Sequence, residues 1–364
     1  MTQFDICFED IVDFQNLYQA YLNARKNKRY RGETLKYSAH VEEELINLQN
    51  ELIWGTYKVG PYRQKEIREP KPRIIMALQF RDRVCQWALY QKLNPLFDKQ
   101  FICDSYGCRV GKGTIAARKR LQYWLRKVQR SNKQYYILKL DISKYFYRID
   151  HEILYNILKK KIKDTRILEL LKKVIDCEDT PFGVPSGTMP ENLPKDEWIY
   201  HKGMPIGNLT SQMFANIYLN ELDQYCKHKL KLHYYIRYMD DIIILWDDKK
   251  ELHAIKDNIE RFLNEKLRLE LNKKTAIRPS YLPIEFVGAK ISYSKIKLRK
   301  STVRRMRRRI KHIMKAYQNG EMSFYEVNNV MQSYFGLLIH CDSDNLRRRI
   351  LDGFILFCNN SKST

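Results

Sequence analysis

Two adjacent carboxylates, Asp240 and Asp241, lie between runs of β-branched and aromatic residues at 234–239 and 242–246. Such runs are typical of strands, so the acidic pair is predicted at the turn of a hairpin. At a tight turn both carboxylates can reach one side, where they repel each other unless a cation lies between them. Asp is also common in plain turns. The apolar flanks indicate a half-buried turn and favour a metal site over a polar hairpin tip.

A third carboxylate, Asp141, ends the apolar run 135–140 and is followed by aromatic residues. An acid at the carboxyl end of a strand is a typical metal ligand, although a turn or capping role is equally open for Asp141 alone. Together, Asp141, Asp240 and Asp241 suit two Mg²⁺ ions, which retain waters and bind substrate phosphates. Two such ions can stabilise both oxygens of an in-line phosphoryl displacement. Together with a cationic hairpin tip, a basic C-terminal helix and the net charge of +24, this pattern predicts a template-directed polymerase, with a metal nuclease as the nearest alternative.

The composition favours a folded protein with a polyanionic partner. The 364 residues are 44% hydrophobic and carry a net charge of +24, from 66 Lys+Arg and 42 Asp+Glu. This length predicts two or three subdomains, and the charge makes RNA or DNA the leading partner and a membrane surface the weaker one. Without a secretion signal, a spanning run or CxxC spacing, the expectation is a cytoplasmic protein with reduced, mostly buried cysteines and no structural zinc.

Several elements would position these carboxylates. Helical spacing predicts helices over residues 1–60, and Pro70 and Pro72 predict a turn between two strands within 61–77. Lys71 and Arg73 would then lie at a hairpin tip, as a phosphate clamp or as a solubilising turn. A long loop is expected at 177–204, and a strand with a Gly bulge at 284–291.

The C-terminal part contains a strongly basic helix. Residues 295–315 include eleven basic residues and no acid, while apolar residues keep a helical stripe. A solvated face normally mixes charge signs. A nucleic acid backbone is therefore the predicted partner of Arg304, Arg305, Arg308 and Lys311. A second basic patch at 25–31 is compatible with either nucleic acid contact or a solvated face.

These motifs resemble the reverse transcriptase family. Residues 238–241, Tyr-Met-Asp-Asp, resemble the central motif of the family, and residues 141–146 resemble the motif that supplies its first aspartate. Further blocks follow in the family's order over nearly the whole chain, at 72–83, 105–109, 206–212, 271–275 and 286–288. The resemblance implies an α+β right-hand polymerase with an antiparallel palm sheet and a helical thumb. It places a helical N-terminal extension or fingers at 1–60, fingers and palm at 61–292, and the thumb at 293–364.

The family's roles can be carried over by position. Asp141, Asp240 and Asp241 would bind two Mg²⁺ ions with the Ile142 carbonyl, and Lys274 would donate a proton to pyrophosphate. Lys71 and Arg73 would clamp the triphosphate of the dNTP, and Phe146 would be the aromatic gate under its sugar. The other residues predicted to contact the dNTP are Ile206, Gly207, Gln212 and Tyr238. Nucleic acid would contact Arg109, the primer-grip residue Gly288 and the basic helix. The implied partners are template RNA, cDNA and dNTPs, without a membrane.

One block indicates a particular kind of reverse transcriptase. Most members carry Gln-Gly-x-x-x-Ser-Pro, whereas residues 206–212 read Ile-Gly-Asn-Leu-Thr-Ser-Gln. This form resembles the enzymes of diversity-generating retroelements, which copy template RNA with frequent errors at adenines. The resemblance implies a bacterial or phage-encoded enzyme with a small basic ring-forming accessory protein, the accessory variability determinant. A group II intron-like or phage-defence reverse transcriptase is the alternative, and a non-catalytic RNA-binding scaffold is the alternative of another class.

Overall fold

The computed structural model describes residues 3–67, 73–176, 202–354 and 356. Its helices are α1 (Phe8–Val12), α2 (Phe14–Arg25), α3 (Gly32–Ala39), α4 (Val41–Ile53), α5 (Phe80–Asp98), α6 (Gly113–Gln129), α7 (Tyr145–Arg148), α8 (His151–Lys159), α9 (Thr165–Asp176), α10 (Leu209–Gln224), α11 (Lys249–Leu267), α12 (Lys300–Gln318), α13 (Phe324–Leu338) and α14 (Asp344–Leu351). Its strands are β1 (Arg63–Ile67), β2 (Arg73–Ala77), β3 (Tyr136–Asp141), β4 (Tyr235–Tyr238), β5 (Asp241–Trp246), β6 (Ala276–Pro279), β7 (Ile284–Phe286), β8 (Ala289–Ile291) and β9 (Ile296–Leu298).

The N-terminal helices form one layer with α5. Leu17, Tyr21 and Ala24 recur at helical spacing on α2 and are buried in the core that also contains the apolar face of α5. The Asp13 carboxylate accepts a hydrogen bond from the Asn16 N–H and so caps the first turn of α2. The helical prediction for residues 1–60 is confirmed for the described residues.

A four-stranded antiparallel sheet, in the order β4-β5-β3-β6, forms the centre of the molecule. Both faces of this sheet are covered, and because successive side chains of a strand point to opposite faces, they pack in two different hydrophobic cores. Leu138 and Ile242 pack with α10 and α11, whereas Ile137 and Ile243 pack with α6 and the small sheet β7-β8-β9. These helices and antiparallel sheets confirm the predicted α+β fold.

Two smaller hairpins flank the central sheet. Strands β1 and β2 pair with Ile67 opposite Arg73, as predicted, and the turn between them lies outside the described residues. Between β7 and β8, Val287 and Gly288 both have positive φ, at 45° and 79°. Because two such residues form a tight hairpin turn, the prediction of one bulged strand at 284–291 was wrong. Strand β9 lies after residue 292, where the thumb was predicted to begin, and pairs with β8, which lies before it. This small sheet therefore extends across the predicted boundary between palm and thumb.

The C-terminal helices α12, α13 and α14 share a separate apolar core. Met306, Ile310 and Ile313 form the buried stripe of α12. In the described part of the chain, no helix is long and apolar enough to cross a membrane. Most of the predicted loop at 177–204 lies outside the described residues.

The cysteines differ in part from expectation. The described cysteines form no disulfide, and Cys85 and Cys226 are buried. Cys7, Cys103 and Cys108 are exposed, because Cys7 precedes α1 and the other two lie in the connection between α5 and α6. The expectation that most cysteines are buried was therefore wrong for the described residues.

Candidate active site

Asp141 and Asp241 lie directly opposite each other on the antiparallel strands β3 and β5. Asp141 is the last residue of β3, and Asp241 is the first residue of β5. Asp240 lies with Met239 in the two-residue connection from β4, which we call the acidic turn. The predicted hairpin is thus confirmed. The strand register brings the backbones of Asp141 and Asp241 together, although about a hundred residues separate them in the sequence.

The acidic turn is held in an uncommon backbone conformation. Met239 has a φ of 54°, which side-chain-bearing residues seldom adopt. The guanidinium of Arg237 donates to the Met239 carbonyl at 3.2 Å and forms a fully buried ion pair with Asp223 at 2.6 Å. Gly107 packs so closely on the turn that an added Cβ would lie 2.6 Å from the Met239 Sδ. These contacts fix the turn that carries Asp240.

The Asp241 carboxylate is surrounded by groups that act on its pKa in opposite directions. Burial raises its pKa, while the Lys139 ammonium and a hydrogen bond from the Val287 N–H act in the opposite direction. The Lys139 Nζ lies 3.2 Å from Oδ1 and 3.4 Å from Oδ2 of Asp241, and donates to the Glu285 carbonyl at 2.6 Å. Oδ1 is nevertheless a buried atom without a hydrogen bond, because the ammonium of Lys139 approaches it at an angle that does not suit a hydrogen bond.

This donor set fits a divalent cation. A buried carboxylate oxygen without a hydrogen bond is an acceptor that a cation would satisfy. Across the described ranges, no three His, Cys, Asp or Glu side chains converge into a complete metal site. Mg²⁺ does not require such a cage, because it is usually held by one or two carboxylates together with waters and substrate phosphates.

The hairpin β7–β8 closes one side of the site. The backbone N–H of Val287 lowers the pKa of the Asp241 carboxylate, and the Val287 carbonyl accepts from Arg118 of α6 at 2.5 and 3.0 Å. Gly288 completes the tight turn. The predicted primer-grip residue therefore lies next to a residue that contacts Asp241.

The segment 204–208 joins α7 to the hairpin β1–β2, since the Met204 N–H donates to the Phe146 carbonyl at 2.7 Å. The Met76 N–H donates to the Ile206 carbonyl at 3.0 Å, and the Ile206 side chain packs in a small apolar cluster with Met76. Gly207 is required there, because its φ is 120° and a Cβ would lie 2.9 Å from the Ile75 Cγ2. Asn208 occupies the position before α10, but its side chain donates to the Tyr62 hydroxyl at 3.0 Å instead of capping the helix.

The remaining predicted substrate residues are placed as follows. Ile142 is buried beside Asp141, while Phe146 and Tyr238 are half-buried and pack against the main core. Gln212 is half-buried on the first turn of α10, and the Lys274 side chain is exposed. Lys71 lies outside the described residues. For Arg73 only the backbone is described, as the first residue of β2.

Arg109 has an internal role that differs from the predicted one. Its guanidinium pairs with Asp98 at 2.6 Å and donates to the Ile102 and Ser105 carbonyls at 2.8 and 3.0 Å. Only 7% of the side chain is exposed. Because its donors are directed to the loop itself, Arg109 stabilises the connection between α5 and α6, and its contact with nucleic acid stays a prediction.

The basic face of α12 is exposed. Arg304, Arg305, Arg308 and Lys311 are exposed on or beside the face opposite the buried stripe. Among these four, the structure shows no ion pair with a described acid. Their position agrees with the predicted amphipathic pattern, whereas the contact with nucleic acid stays a prediction.

A comparison with known families decides the identity. The profile of the family "Reverse transcriptase (RNA-dependent DNA polymerase)" matches residues 63–291, more than half of the chain. The chain belongs to the reverse transcriptase family.

Proteins similar to this reverse transcriptase include two from bacteria and one solved structure from a yeast. It is 26% identical to Protein YkfC of Escherichia coli (strain K12), over 64% of this chain and 67% of that protein. It is 25% identical to Group II intron-encoded protein LtrA of Lactococcus lactis subsp. cremoris, over 76% of this chain and 54% of that protein. The telomerase from Candida albicans, solved with a TWJ fragment of telomeric RNA, aligns at 15% identity with a TM-score of 0.49, over 83% of this chain and 56% of that one. The chain spans about half the length of the last two proteins.

Sequence reasoning missed several residues of the reverse transcriptase site. Lys139 precedes Asp141 by two positions, so strand alternation places both on one face. Arg237 is a charged residue within an apolar strand and could have been flagged as needing a buried acid. No local pattern marks Arg118 or Asp223. Gly107 lies within the block 105–109, but its contact with Met239 could not be read from the sequence.

Proposed function

We propose that this reverse transcriptase is an RNA-directed DNA polymerase that synthesises cDNA on a template RNA with two Mg²⁺ ions. The observation that carries the proposal is the register of Asp141 opposite Asp241, with Asp240 in the adjoining acidic turn. Three carboxylates at one end of a sheet are the donor set that this chemistry needs. The net charge of +24 supports a nucleic acid partner.

The residues divide the work as follows. Asp141, Asp240 and Asp241, with the Ile142 carbonyl, would hold the ions, which when bound neutralise charge that develops on the transferred phosphoryl group. Arg237 and Gly107 keep the acidic turn in place. Phe146 would lie under the sugar of the dNTP and Tyr238 beside the same site. Lys71 and Arg73 would clamp the triphosphate, and Lys274 is free to approach the pyrophosphate because its side chain is exposed.

Asp240→Asn tests the polymerase proposal. Loss of a metal-binding carboxylate should lower dNTP incorporation on a primed RNA template by at least about a hundredfold. The readout is single-nucleotide primer extension with and without Mg²⁺. Asp247→Asn is the matched control, since Asp247 follows the other end of β5 and pairs with exposed Lys133. A wild-type chain that binds RNA and incorporates no dNTP would instead identify a non-catalytic scaffold.

We further propose that the enzyme is of the diversity-generating type and is error-prone at template adenines. The support is Ile206 and Gln212, which replace the usual Gln and Pro of the motif. Ile206 packs against Met76 beneath the hairpin β1–β2, where it presents only shape to a base pair. A site without polar contacts that depend on correct pairing discriminates less between bases.

Ile206→Gln tests this assignment. The amide should lower misincorporation opposite adenine by roughly tenfold, while errors opposite the other bases change little. Ile206→Val is the matched control because it keeps the apolar surface. The measurement is deep sequencing of cDNA made on a defined RNA template, with and without a candidate accessory protein. Wild-type errors spread evenly over all four bases would refute the diversity-generating type and favour a group II intron-like enzyme, the class to which one relative belongs.

A further inference from the structure

Lys139 places a positive charge among the carboxylates of the site. It lies two residues before Asp141 on β3, so both side chains project from the same face of the central sheet. On β5, Asp241 lies directly opposite Asp141, and like charges in that arrangement repel each other. The Lys139 Nζ lies 3.2 Å from Oδ1 and 3.4 Å from Oδ2 of Asp241. A cation at this distance offsets the repulsion between the two carboxylates.

The ion pair of Lys139 and Asp241 lies at the edge of an apolar core. Ile137 on β3 and Ile243 on β5 share the face of Lys139, and both are buried in the core that contains α6 and the small sheet β7-β8-β9. The two charged side chains are themselves only 23% and 21% exposed. A carboxylate in such a place is costly without a partner, so Asp241 needs a cation whether or not a metal is bound.

The ammonium of Lys139 is held more closely by the backbone than by Asp241. It donates to the Glu285 carbonyl of β7 at 2.6 Å, whereas its approach to Asp241 leaves the buried Oδ1 without a hydrogen bond. A carboxylate oxygen in this state is open to a metal ion. If Asp241 became a metal ligand, Lys139 would keep its hydrogen bond to Glu285. The ammonium is therefore a partner that Asp241 can exchange for a metal without leaving a buried donor unsatisfied.

We propose that Lys139 is a positioning residue that neutralises Asp241 while the site holds no metal, and that competes with metal ions for this carboxylate. The assignment rests on the metal-dependent polymerase function proposed above. In the metal-free enzyme, the ammonium offsets the repulsion between Asp141 and Asp241 and so stabilises the site. Because two cations near one carboxylate repel each other, the same ammonium weakens metal binding. The carboxylates alone would bind a metal more tightly than the enzyme does.

Binding of Mn²⁺ to the full chain, without nucleic acid or dNTP, tests the proposal. Electron paramagnetic resonance measures the free ion and so gives the dissociation constant without any catalysis. Lys139→Met removes the charge and should bind Mn²⁺ about tenfold more tightly than the wild type, an effect limited by solvent screening at a partly exposed pair. Lys139→Arg keeps the charge and should bind Mn²⁺ about as tightly as the wild type. A purely structural role of Lys139 would instead weaken binding in Lys139→Met.

Thermal melts give a second readout. Without metal, Lys139→Met should melt below the wild type, because Asp241 is left without a cation. Saturating Mn²⁺ should raise the melting temperature of Lys139→Met by more than it raises that of the wild type, because an ion that binds the folded state more tightly stabilises it more. Lys139→Gln retains a donor for the Glu285 carbonyl, and provides the same comparisons if Lys139→Met does not fold.

Lys133→Met is the matched control. Lys133 pairs with Asp247 at 2.6 Å near the opposite end of β5, and its side chain is 69% exposed. Its loss removes the same charge and should leave the dissociation constant for Mn²⁺ unchanged. The proposal is overturned if Lys139→Met binds Mn²⁺ no more tightly than the wild type, or if Lys139→Arg gains as much affinity as Lys139→Met. Failure of the polymerase proposal would appear separately, as absent extension of a primed RNA template by the wild type.

Discussion

At the scale of single residues, the acidic turn depends on the absence of a side chain at Gly107. Gly107 lies against Met239, and an added Cβ would meet both the side chain and the backbone nitrogen, at 2.6 and 2.8 Å. The backbone contact cannot be relieved by a rotamer change. Any residue other than glycine must therefore displace the turn that carries Asp240.

Gly107→Ala should consequently reduce polymerisation more than it reduces stability. Overpacking at a tight contact costs about 1–3 kcal/mol of unfolding free energy. A small displacement of catalytic groups should lower kcat by about a hundredfold, with a smaller change in KM for dNTP. Urea unfolding and steady-state extension kinetics measure the two effects. Gly336→Ala on α13 is the control, because nothing lies within 4 Å of its added Cβ. A Gly107→Ala enzyme with normal kcat would show that the turn tolerates displacement.

The residue scale also shows where sequence reasoning ends. Asp141, Asp240 and Asp241 could be identified because each adjoins an apolar strand that the alternation of residues reveals. Asp223 and Arg237 pair across fourteen positions inside the core, and a sequence offers no rule that joins them. Arg109 was assigned to nucleic acid by its place in a family motif, and no sequence pattern indicated that Asp98 and two carbonyls would bind its guanidinium.

At the scale of elements, periodicity predicted the helices and the central hairpin. Apolar residues at helical spacing mark the buried faces of α2 and α12, and apolar runs mark β3, β4 and β5. Such patterns predict the type of an element and the face that it buries. The hairpin β7–β8 was missed for a physical reason. Val287 at positive φ is unfavourable by itself, and the turn is stabilised by Arg118 and Asp241, which belong to other elements.

At the same scale, the order of strands in the central sheet had to come from the structure. Strand β3 lies between β5 and β6. Both neighbours come at least about a hundred residues later in the sequence. Local signals cannot specify such pairings. The one indication that β3 and β5 are neighbours was chemical, because Asp141 and Asp241 must lie close together if they bind the same metal ions.

At the scale of the whole molecule, the positive charge includes exposed residues on both α12 and α11. Helix α12 buries Met306, Ile310 and Ile313 in the C-terminal core and exposes its arginines. Lys249 and Lys250, at the start of α11, are equally exposed but lie near the end of β5 that is remote from the acidic turn. If α12 follows the backbone of the template–primer duplex, its charges should contribute to binding, whereas those of α11 should not.

The salt dependence of duplex binding distinguishes these surfaces. Each phosphate contact contributes a slope of about −0.9 to log K against log salt, through release of counterions. Arg305→Gln/Arg308→Gln should therefore reduce the magnitude of the slope by about one to two and weaken binding on every sequence alike. Lys249→Gln/Lys250→Gln removes the same charge and should leave the slope within experimental error. Anisotropy titrations across a range of KCl concentrations provide the measurement. Equal changes in both variants would mean that the net charge of the molecule acts at long range, without contact between α12 and the duplex.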